Sequence, residues 1–308
     1  MIDVVFVAWN ARDQVLDCIG HLREPDIVAS ITVVDNASSD GTAAAVRSAH
    51  PDVNVIPLPE PLGLAAALNR GARAGTAPFV LYLNDDVLAF PGSVAALLAA
   101  LRENAGAVAA GGRLVDENLV TQAAYEPQPF PSAATLLGRL LGIARLVAVV
   151  PRADRGRASR SSEDVVVVEQ LAGACLLVRR SVVERIGGWD ERYWFWYEDV
   201  DLSRRLSSHG RSLYVPAAAF RHLGGATARR LTRPEGHRRT LHGMLCYAGT
   251  HCSRPGELAV ALAVLATSVG RAAVRFPTDR PGARLYAEAA RDAARTLVGR
   301  SARGPAAR

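Results

Sequence analysis

An α/β fold, with a mainly parallel central sheet flanked by helices and a C-terminal helical extension, is what this sequence predicts. Three observations carry it. Strand-like and helix-like apolar patterns alternate through residues 1–115, acids fall where predicted strands end, and the last part of the chain returns to helical spacing.

The chain of 308 residues has room for one large core or two modest ones. We expect one catalytic domain over residues 1–225 and a basic helical region over 226–308. A hydrophobic share of 49% against 21% charged is that of a globular protein, and no apolar run reads as long enough to span a bilayer. Met1-Ile2-Asp3 leads straight into an apolar run without the basic start of a signal peptide, so a cytoplasmic protein is expected. Cys18, Cys175, Cys246 and Cys252 lack CxxC spacing, which favours reduced thiols over disulfides or a zinc site. The net charge of +6 is unevenly placed: from Arg221 onward there are 16 Arg against 5 acids. Every basic residue other than histidine is Arg, so any mechanism that needs a lysine is excluded.

The elements follow in order. Val4 to Ala8 is a buried-strand run and Arg12 to Leu22 has helical spacing. Ile31 to Val34 is a second strand, and Gly41 to Ala49 a helix with Ser38, Ser39 and Asp40 as capping candidates. Val53 to Pro57, Leu64 to Ala74, Phe79 to Leu83 and Val94 to Glu103 continue the alternation, with Pro91 placed to start the last helix. After Val108 to Leu114 the pattern is irregular. A short helical stretch is expected near Leu136 to Val149, then an Arg-rich loop from Arg152 to Arg160. Val165 to Val168, Ala174 to Val178 and Leu213 to Val215 read as strands, Asp199 to Ser208 as a helix, and residues 257–276 and 283–298 as two tail helices. No internal repeat stands out.

Three segments carry chemistry. Gly187 to Leu206 holds Trp189, Trp194 and Trp196 beside Asp190, Glu191, Glu198, Asp199 and Asp201, a set of carboxylates expensive to crowd together for structure alone. Leu83 to Val87 reads LNDDV and places Asn84, Asp85 and Asp86 at a strand end, where paired carboxylates suit a hard divalent cation or, equally, a capped turn. Val33 to Thr42 reads VVDNASSDGT. A capped helix start explains Ser39 and Asp40, but Asp35, directly after a buried strand, needs a partner.

The order of VVFVAWN, VVDNASSDGT, LGLAAALNRG, LNDDV, GACLLVRR, GGWDERYWFWYEDVDLSRRL and a following His222 resembles the inverting family 2 glycosyltransferases of the GT-A, or nucleotide-diphospho-sugar transferase, fold. Within them it is most similar to the rhamnosyltransferase-like branch that builds bacterial polysaccharides. The resemblance covers about residues 2–225, and its specificity comes from six weak motifs in the right order. It implies a nucleotide-sugar-binding half over 1–115 and an acceptor-binding and catalytic half over 116–225.

Carried over by position, the resemblance puts Ala8, Trp9 and Asn10 beside the donor's base and Asp35 on base or ribose. Asn69 and Asn84 join the donor side, and Asp85 faces the sugar or ribose. Asp86 becomes the principal carboxylate ligand of Mg or Mn, with His222 as the late histidine ligand. The pair Glu198-Asp199 matches the catalytic acidic dipeptide, with Asp199 as the base that takes the proton of the attacking acceptor hydroxyl. A single displacement then inverts the anomeric centre. Asp201 reads instead as a charge favouring the first helical turn. Trp189 and Asp190 would shape the acceptor side, an indole face packing on the sugar ring, while some of Trp194, Phe195 and Trp196 must be core. The chain departs from the pattern at Glu60-Pro61-Leu62-Gly63, where an ENxG motif is usual, and at Asp85, a position often taken by Pro.

Single-sugar transfer from dTDP-rhamnose, or another UDP or dTDP sugar, to a saccharide, lipid-linked or natural-product acceptor is therefore expected. A catalytically inactive carbohydrate-binding scaffold of the same fold is the alternative. A sugar nucleotidyltransferase fits poorly, because those enzymes resemble one another in a glycine-rich, often lysine-bearing start. A processive synthase would need membrane-spanning helices and a QxxRW-type motif. For the basic tail two readings stand. It packs as a helical hairpin on the domain or on a second subunit as a homodimer, or it lies on an anionic membrane at the inner face, where lipid-linked acceptors reside. Nucleic acid is not expected, since the arginines lack interleaved aromatics.

Overall fold

The computed structural model describes residues 1–22, 24, 26–142, 164–224 and 231–299. The loop expected over Arg152 to Arg160, and the end of the helix expected to reach Val149, lie outside the described residues. The described chain forms two compact units, one of residues 1–130, 164–190 and 199–224, the other of 131–142, 191–198 and 231–299.

The first unit is a mixed sheet between helices. Its strands are β1 (Ile2–Ala8), β2 (Val28–Asp35), β3 (Asn54–Pro57), β4 (Phe79–Asn84), β5 (Val87–Ala89), β6 (Ala107–Val115), β7 (Val166–Val168), β8 (Cys175–Arg179) and β9 (Arg211–His222). They lie in the order β3-β2-β1-β4-β8-β6-β9-β5, with β7 also on β9. β3, β2, β1, β4, β6 and β9 run in one direction, while β8, β5 and β7 run against them. The helices are α1 (Arg12–Gly20), α2 (Thr42–Ala49), α3 (Leu64–Ala72), α4 (Ser93–Glu103), α6 (Arg180–Arg185) and most of α7 (Glu198–Leu206), while α5 (Ala133–Leu140) belongs to the second unit.

The period of two along each strand divides the core between the sheet's faces. Ile2, Val4, Phe6, Phe79, Leu81, Leu83, Cys175 and Leu177 pack with Val15 and Ile19 of α1 and Leu97 and Leu101 of α4. Their neighbours Val5, Val80, Tyr82, Leu176 and Val178 face the other way, against Leu68 of α3, Val182 of α6, and Leu202 and Leu206 of α7. Each such aliphatic side chain contributes roughly 1.5–3 kcal/mol when fully buried.

One buried ion pair staples the start of β1 to the end of β8. Arg180 Nη2 donates to Asp3 Oδ2 at 2.7 Å, and Arg180 also donates to the carbonyls of Ala77 and Ala72. Asp3 accepts in addition from Ala77 N and Ser30 Oγ, so both ions are held on several sides. Deleting one partner strands the other's charge. Asp3→Ala is expected to cost about 3–5 kcal/mol in urea unfolding, whereas Asp13→Ala, which breaks the exposed Arg12–Asp13 pair, should leave the midpoint unchanged.

Two parts of this unit depart from the sequence pattern. The strand expected to end at Val215 continues to His222, because the register against β6 shifts between Gly112 and Arg113 and absorbs Pro216 in a bulge. The three-residue β5 then pairs with the far half of β9, setting Val87 opposite His222. At α2, Gly41 with φ +81 is the cap, Asp40 Oδ1 accepts from Thr42 N, and Ser38 and Ser39 turn to Asn10 instead. Pro91 likewise precedes the cap of α4, Gly92 with φ +80, rather than opening the helix. All four cysteines are free thiols, three of them buried.

The second unit contains three long helices, α8 (Arg233–His251), α9 (Arg254–Arg275) and α10 (Arg280–Leu297), with α9 packed along α10 and against α5. Each starts on the same three-residue signal, an N-cap residue of capping type followed by Arg-Pro: Thr232, Ser253 and Asp279 precede Arg233-Pro234, Arg254-Pro255 and Arg280-Pro281, and the side chains of Thr232 and Asp279 accept from Glu235 N and Gly282 N. Against expectation, α9 is long and apolar enough to cross a membrane by length and composition, the single such helix among the described residues. Residues 191–198 belong to this unit: the Arg239 guanidinium lies 3.5 Å over the Trp194 ring, and Gly243 leaves room for the Trp196 carbonyl. Trp196 and Tyr197 take left-handed backbone, φ +69 and +71, at a cost on the order of 1–3 kcal/mol each.

Candidate active site

The carboxyl ends of β1, β2 and β4 lie side by side, since Ala8 pairs with Asp35 and Val7 with Asn84. Such strand ends are where open α/β sheets take ligands. Asn10, at φ +50, ties two of the loops: its N–H donates to Ser38 Oγ at 2.9 Å and its Oδ1 accepts from Ser39 N at 2.8 Å. The buried Asp35 accepts from Ser38 N at 3.0 Å, so part of its hydrogen bonding is spent on its own turn. Asn36 ties down the next loop: its side chain donates to Leu62 O and accepts from Leu62 N. Ala8 is fully buried and its carbonyl is taken by Asn36 N, so it shapes the strand end and offers no side-chain group to a ligand.

Asp85 and Asp86 form the turn between β4 and β5, both buried. The β5–β9 register delivers His222 to them: Leu223 N donates to Asp86 O at 3.0 Å, and His222 Nε2 lies 3.4 Å from Asp86 Oδ1. Gln122 fixes the ring. Its Nε2 donates to the His222 carbonyl at 2.9 Å, which turns its Oε1 toward His222 Nδ1 at 2.8 Å and requires the proton there. In the neutral ring Nε2 then carries a lone pair aimed at a carboxylate oxygen, an arrangement that a cation between the two relieves. Tyr125 closes the ring's side edge-on at 4.4 Å between centroids. Among the described residues no three His, Cys, Asp or Glu side chains make a metal cluster, and Asp86 and His222 supply at most two protein ligands to a cation. Gln122→Leu frees the imidazole to change tautomer and should weaken Mn affinity about 10- to 100-fold, readable by calorimetry in the presence of a nucleoside diphosphate.

Asp199 lies in the first turn of α7 with both oxygens engaged: Oδ2 accepts from Gly173 N at 3.1 Å and Oδ1 from Val200 N at 2.8 Å. Burial raises its pKa above the ordinary carboxylate range, against these two N–H bonds, which lower it. Gly173 cannot be larger without moving the acid, since a Cβ there would sit 3.0 Å from Asp199 Cβ. The next residue bonds the other half of the site, for Asn84 N donates to Ala174 O at 3.0 Å. Gly173-Ala174 therefore links the strand end bearing Asp85 and Asp86 to Asp199.

The profile of Glycosyl transferase family 2 matches residues 3–187, more than half of the chain. The chain belongs to glycosyl transferase family 2. The chain is 35% identical over 210 residues to the N-acetylglucosaminyl-diphospho-decaprenol L-rhamnosyltransferase of Mycobacterium tuberculosis, a match covering 63% of this chain and 66%, just under two thirds, of that relative. It is 30% identical over 233 residues to the pre-mycofactocin glycosyltransferase of the same species, covering 66% of this chain and 45% of that one. Among solved structures it superposes on a mannosyltransferase of Pyrobaculum calidifontis in complex with GDP-Man and Mn2+, with a TM-score of 0.52, 20% identity, and coverage of 98% of this chain and 84% of the other. The fold is GT-A.

Other residues of this family 2 member are placed differently from the expectation. Trp189 is 1% exposed and stands edge-on against Tyr82 at 5.1 Å, so its indole is core and presents no face to a sugar. Asn69 spends its amide on Trp189, donating to its carbonyl at 2.8 Å and accepting from its N–H at 2.9 Å, which removes it from the donor side. Asp201, fully buried, binds Arg205 Nε at 2.7 Å, and Arg205 caps the carbonyls of Ile186 and Gly188. This ion pair, rather than the helix dipole, is its structural role. Asp190 is half-buried, as is Trp9. Of two positioning residues, Gly173 had a sequence signal as the first residue of the quoted GACLLVRR, while Gln122, in an irregular stretch, had none.

Proposed function

We propose that the chain transfers one rhamnose from dTDP-rhamnose, with inversion, to a hydroxyl of a lipid-linked saccharide in bacterial envelope polysaccharide synthesis. What supports the transferred sugar and the acceptor is the likeness to the mycobacterial L-rhamnosyltransferase, named for the acceptor N-acetylglucosaminyl-diphospho-decaprenol. The observation that carries the chemistry is His222 Nε2 standing 3.4 Å from Asp86 Oδ1 in the same unit as the base-like Asp199.

In this reading Trp9, Asn10 and Asp35 border the donor's base and ribose, and Asn84 and Asp85 flank the diphosphate and sugar. Asp86 and His222 hold Mn or Mg, which when bound neutralises charge on the departing diphosphate. Asp199 accepts the proton from the acceptor oxygen as that oxygen bonds to the anomeric carbon and the bond to the diphosphate breaks. A pKa above the ordinary carboxylate range makes it a stronger base than a free aspartate, while the Gly173 and Val200 N–H groups aim it. Glu198 adds a second carboxylate at the start of α7, and Asp190 remains the residue for an acceptor hydroxyl. Residues 1–115 serve the donor and 116–225 the acceptor and catalysis, with the protein in the cytoplasm beside the inner membrane leaflet.

The test is release of nucleoside diphosphate from a panel of dTDP, UDP and GDP sugars with a short lipid-linked acceptor, with and without Mn. Cation-dependent turnover of dTDP-rhamnose is the expected result. Binding without turnover of any donor would favour the scaffold reading instead.

A further inference from the structure

We infer that the second unit carries a surface for an anionic lipid bilayer, made by the outer faces of α9 and α10. The inference deepens the proposed function by naming how the enzyme reaches a lipid-linked acceptor, and it rests on that reading only for which membrane is meant.

Two stripes carry it. Along α9, Ala259, Leu262, Ala266, Val269, Ala273 and Phe276 are all exposed and recur at steps of three and four, the spacing of a single helical face. Leu262 is 59%, Val269 53% and Phe276 61% exposed, while Val260, Ala261, Val264 and Ser268 fill the buried side. A continuous row of this kind on a soluble protein needs a cover. Along α10, Arg280, Arg284, Arg291 and Arg295 are exposed at steps of four and seven, opposite a buried face of Ala283, Tyr286, Ala289, Ala290 and Ala293.

Charge selects the cover. The acids of these two helices and the turn between them are in ion pairs: Glu257 with Arg254, Asp279 with Arg275, Glu288 with Arg238 and Arg284, and Asp292 with His242 and Arg295. Arg280 and Arg291 have no acidic partner among the described residues, and Arg280 lies 5.7 Å over the Phe276 ring, so the basic row meets the apolar row at the turn between α9 and α10. Apolar side chains beside arginines match the boundary between acyl chains and anionic headgroups. A spanning role for α9 does not fit, because one side of it is committed to protein. Its Arg271 bonds His237 of α8 at 2.6 Å and lies over Tyr286 of α10. The helix lies on the membrane.

The test is sedimentation of the full chain with vesicles of phosphatidylcholine alone or mixed with phosphatidylglycerol, beside light scattering for its mass. The expected result is pelleting with the mixed vesicles, reversed by salt. Leu262→Gln/Val269→Gln/Phe276→Gln should weaken it at least about tenfold, and Arg284→Gln/Arg291→Gln/Arg295→Gln on the order of 100-fold. Both variants should keep wild-type circular dichroism and wild-type activity on a water-soluble acceptor. Equal pelleting with both vesicles, no pelleting, or a wild-type dimer that the apolar variant splits would overturn the inference, the last assigning the face to a second copy. Pelleting needs no turnover, so an inactive protein that still pelleted would sink the proposed reaction and leave the surface standing.

Discussion

Asp199→Asn is expected to lower the transfer rate on the order of 100- to 10,000-fold, the contribution of a positioned general base, while leaving the affinity for donor and cation within about twofold. The amide keeps the shape of the carboxylate but cannot take the acceptor's proton. The wild-type pH profile gives the second readout. Burial raises the Asp199 pKa, so the protonated, inactive form persists to higher pH than for a free aspartate, and the rate should fall as pH drops through that raised value. The acidic limb should vanish in the variant's residual rate. Gly173 N–H makes one of the bonds opposing that rise, which makes the limb sensitive to the loop as well. A limb unchanged by Asp199→Asn would assign the base elsewhere, with Glu198 the next carboxylate to test.

Asp86→Ala is expected to act on the donor. Removing the carboxylate that faces His222 Nε2 at 3.4 Å should abolish the Mn dependence of nucleoside-diphosphate binding. It should also lower kcat/KM on the order of 100- to 1,000-fold, equivalent to several kcal/mol at about 1.4 kcal/mol per tenfold. The fold should survive, because Asp86 contributes its backbone carbonyl, not its side chain, to the Leu223 bond that anchors β5 beside β9. Preserved Mn-dependent binding would contradict the assignment. The two variants together separate the roles, one sparing binding and the other chemistry no faster than its bound donor permits.

The alternating first half was legible because buried parallel strands and amphipathic helices leave strong periods. Every strand and helix read through residue 115 is present, with ends displaced by a few residues and only the short β5 added. What escaped was set by pairing rather than by local pattern. Pro216 reads as a strand end, yet a bulge carries β9 past it to His222, and the three residues of β5 are too few to show a period. α8 escaped because Gly236, Gly243 and Gly249 and its scattered histidines mask its helical character, although Thr232-Arg-Pro-Glu235 is a capping signature. In the site, the family resemblance pointed to Asp86, Asp199 and His222, but not to the residues that hold them. Trp189 misled because a tryptophan among acids looks like a ligand platform, whereas its partners Tyr82 and Asn69 come from distant parts of the sequence. Gln122, which sets the His222 tautomer from 100 residues away, could be found only in three dimensions.

The claim at the centre of this account is a single displacement with one carboxylate as base, and the anomeric configuration of the transferred sugar tests it most directly. Nuclear magnetic resonance of the purified product, compared with the donor, should show the opposite configuration at the anomeric carbon. Retained configuration would require a second displacement or a different reaction path, and would contradict the role assigned to Asp199.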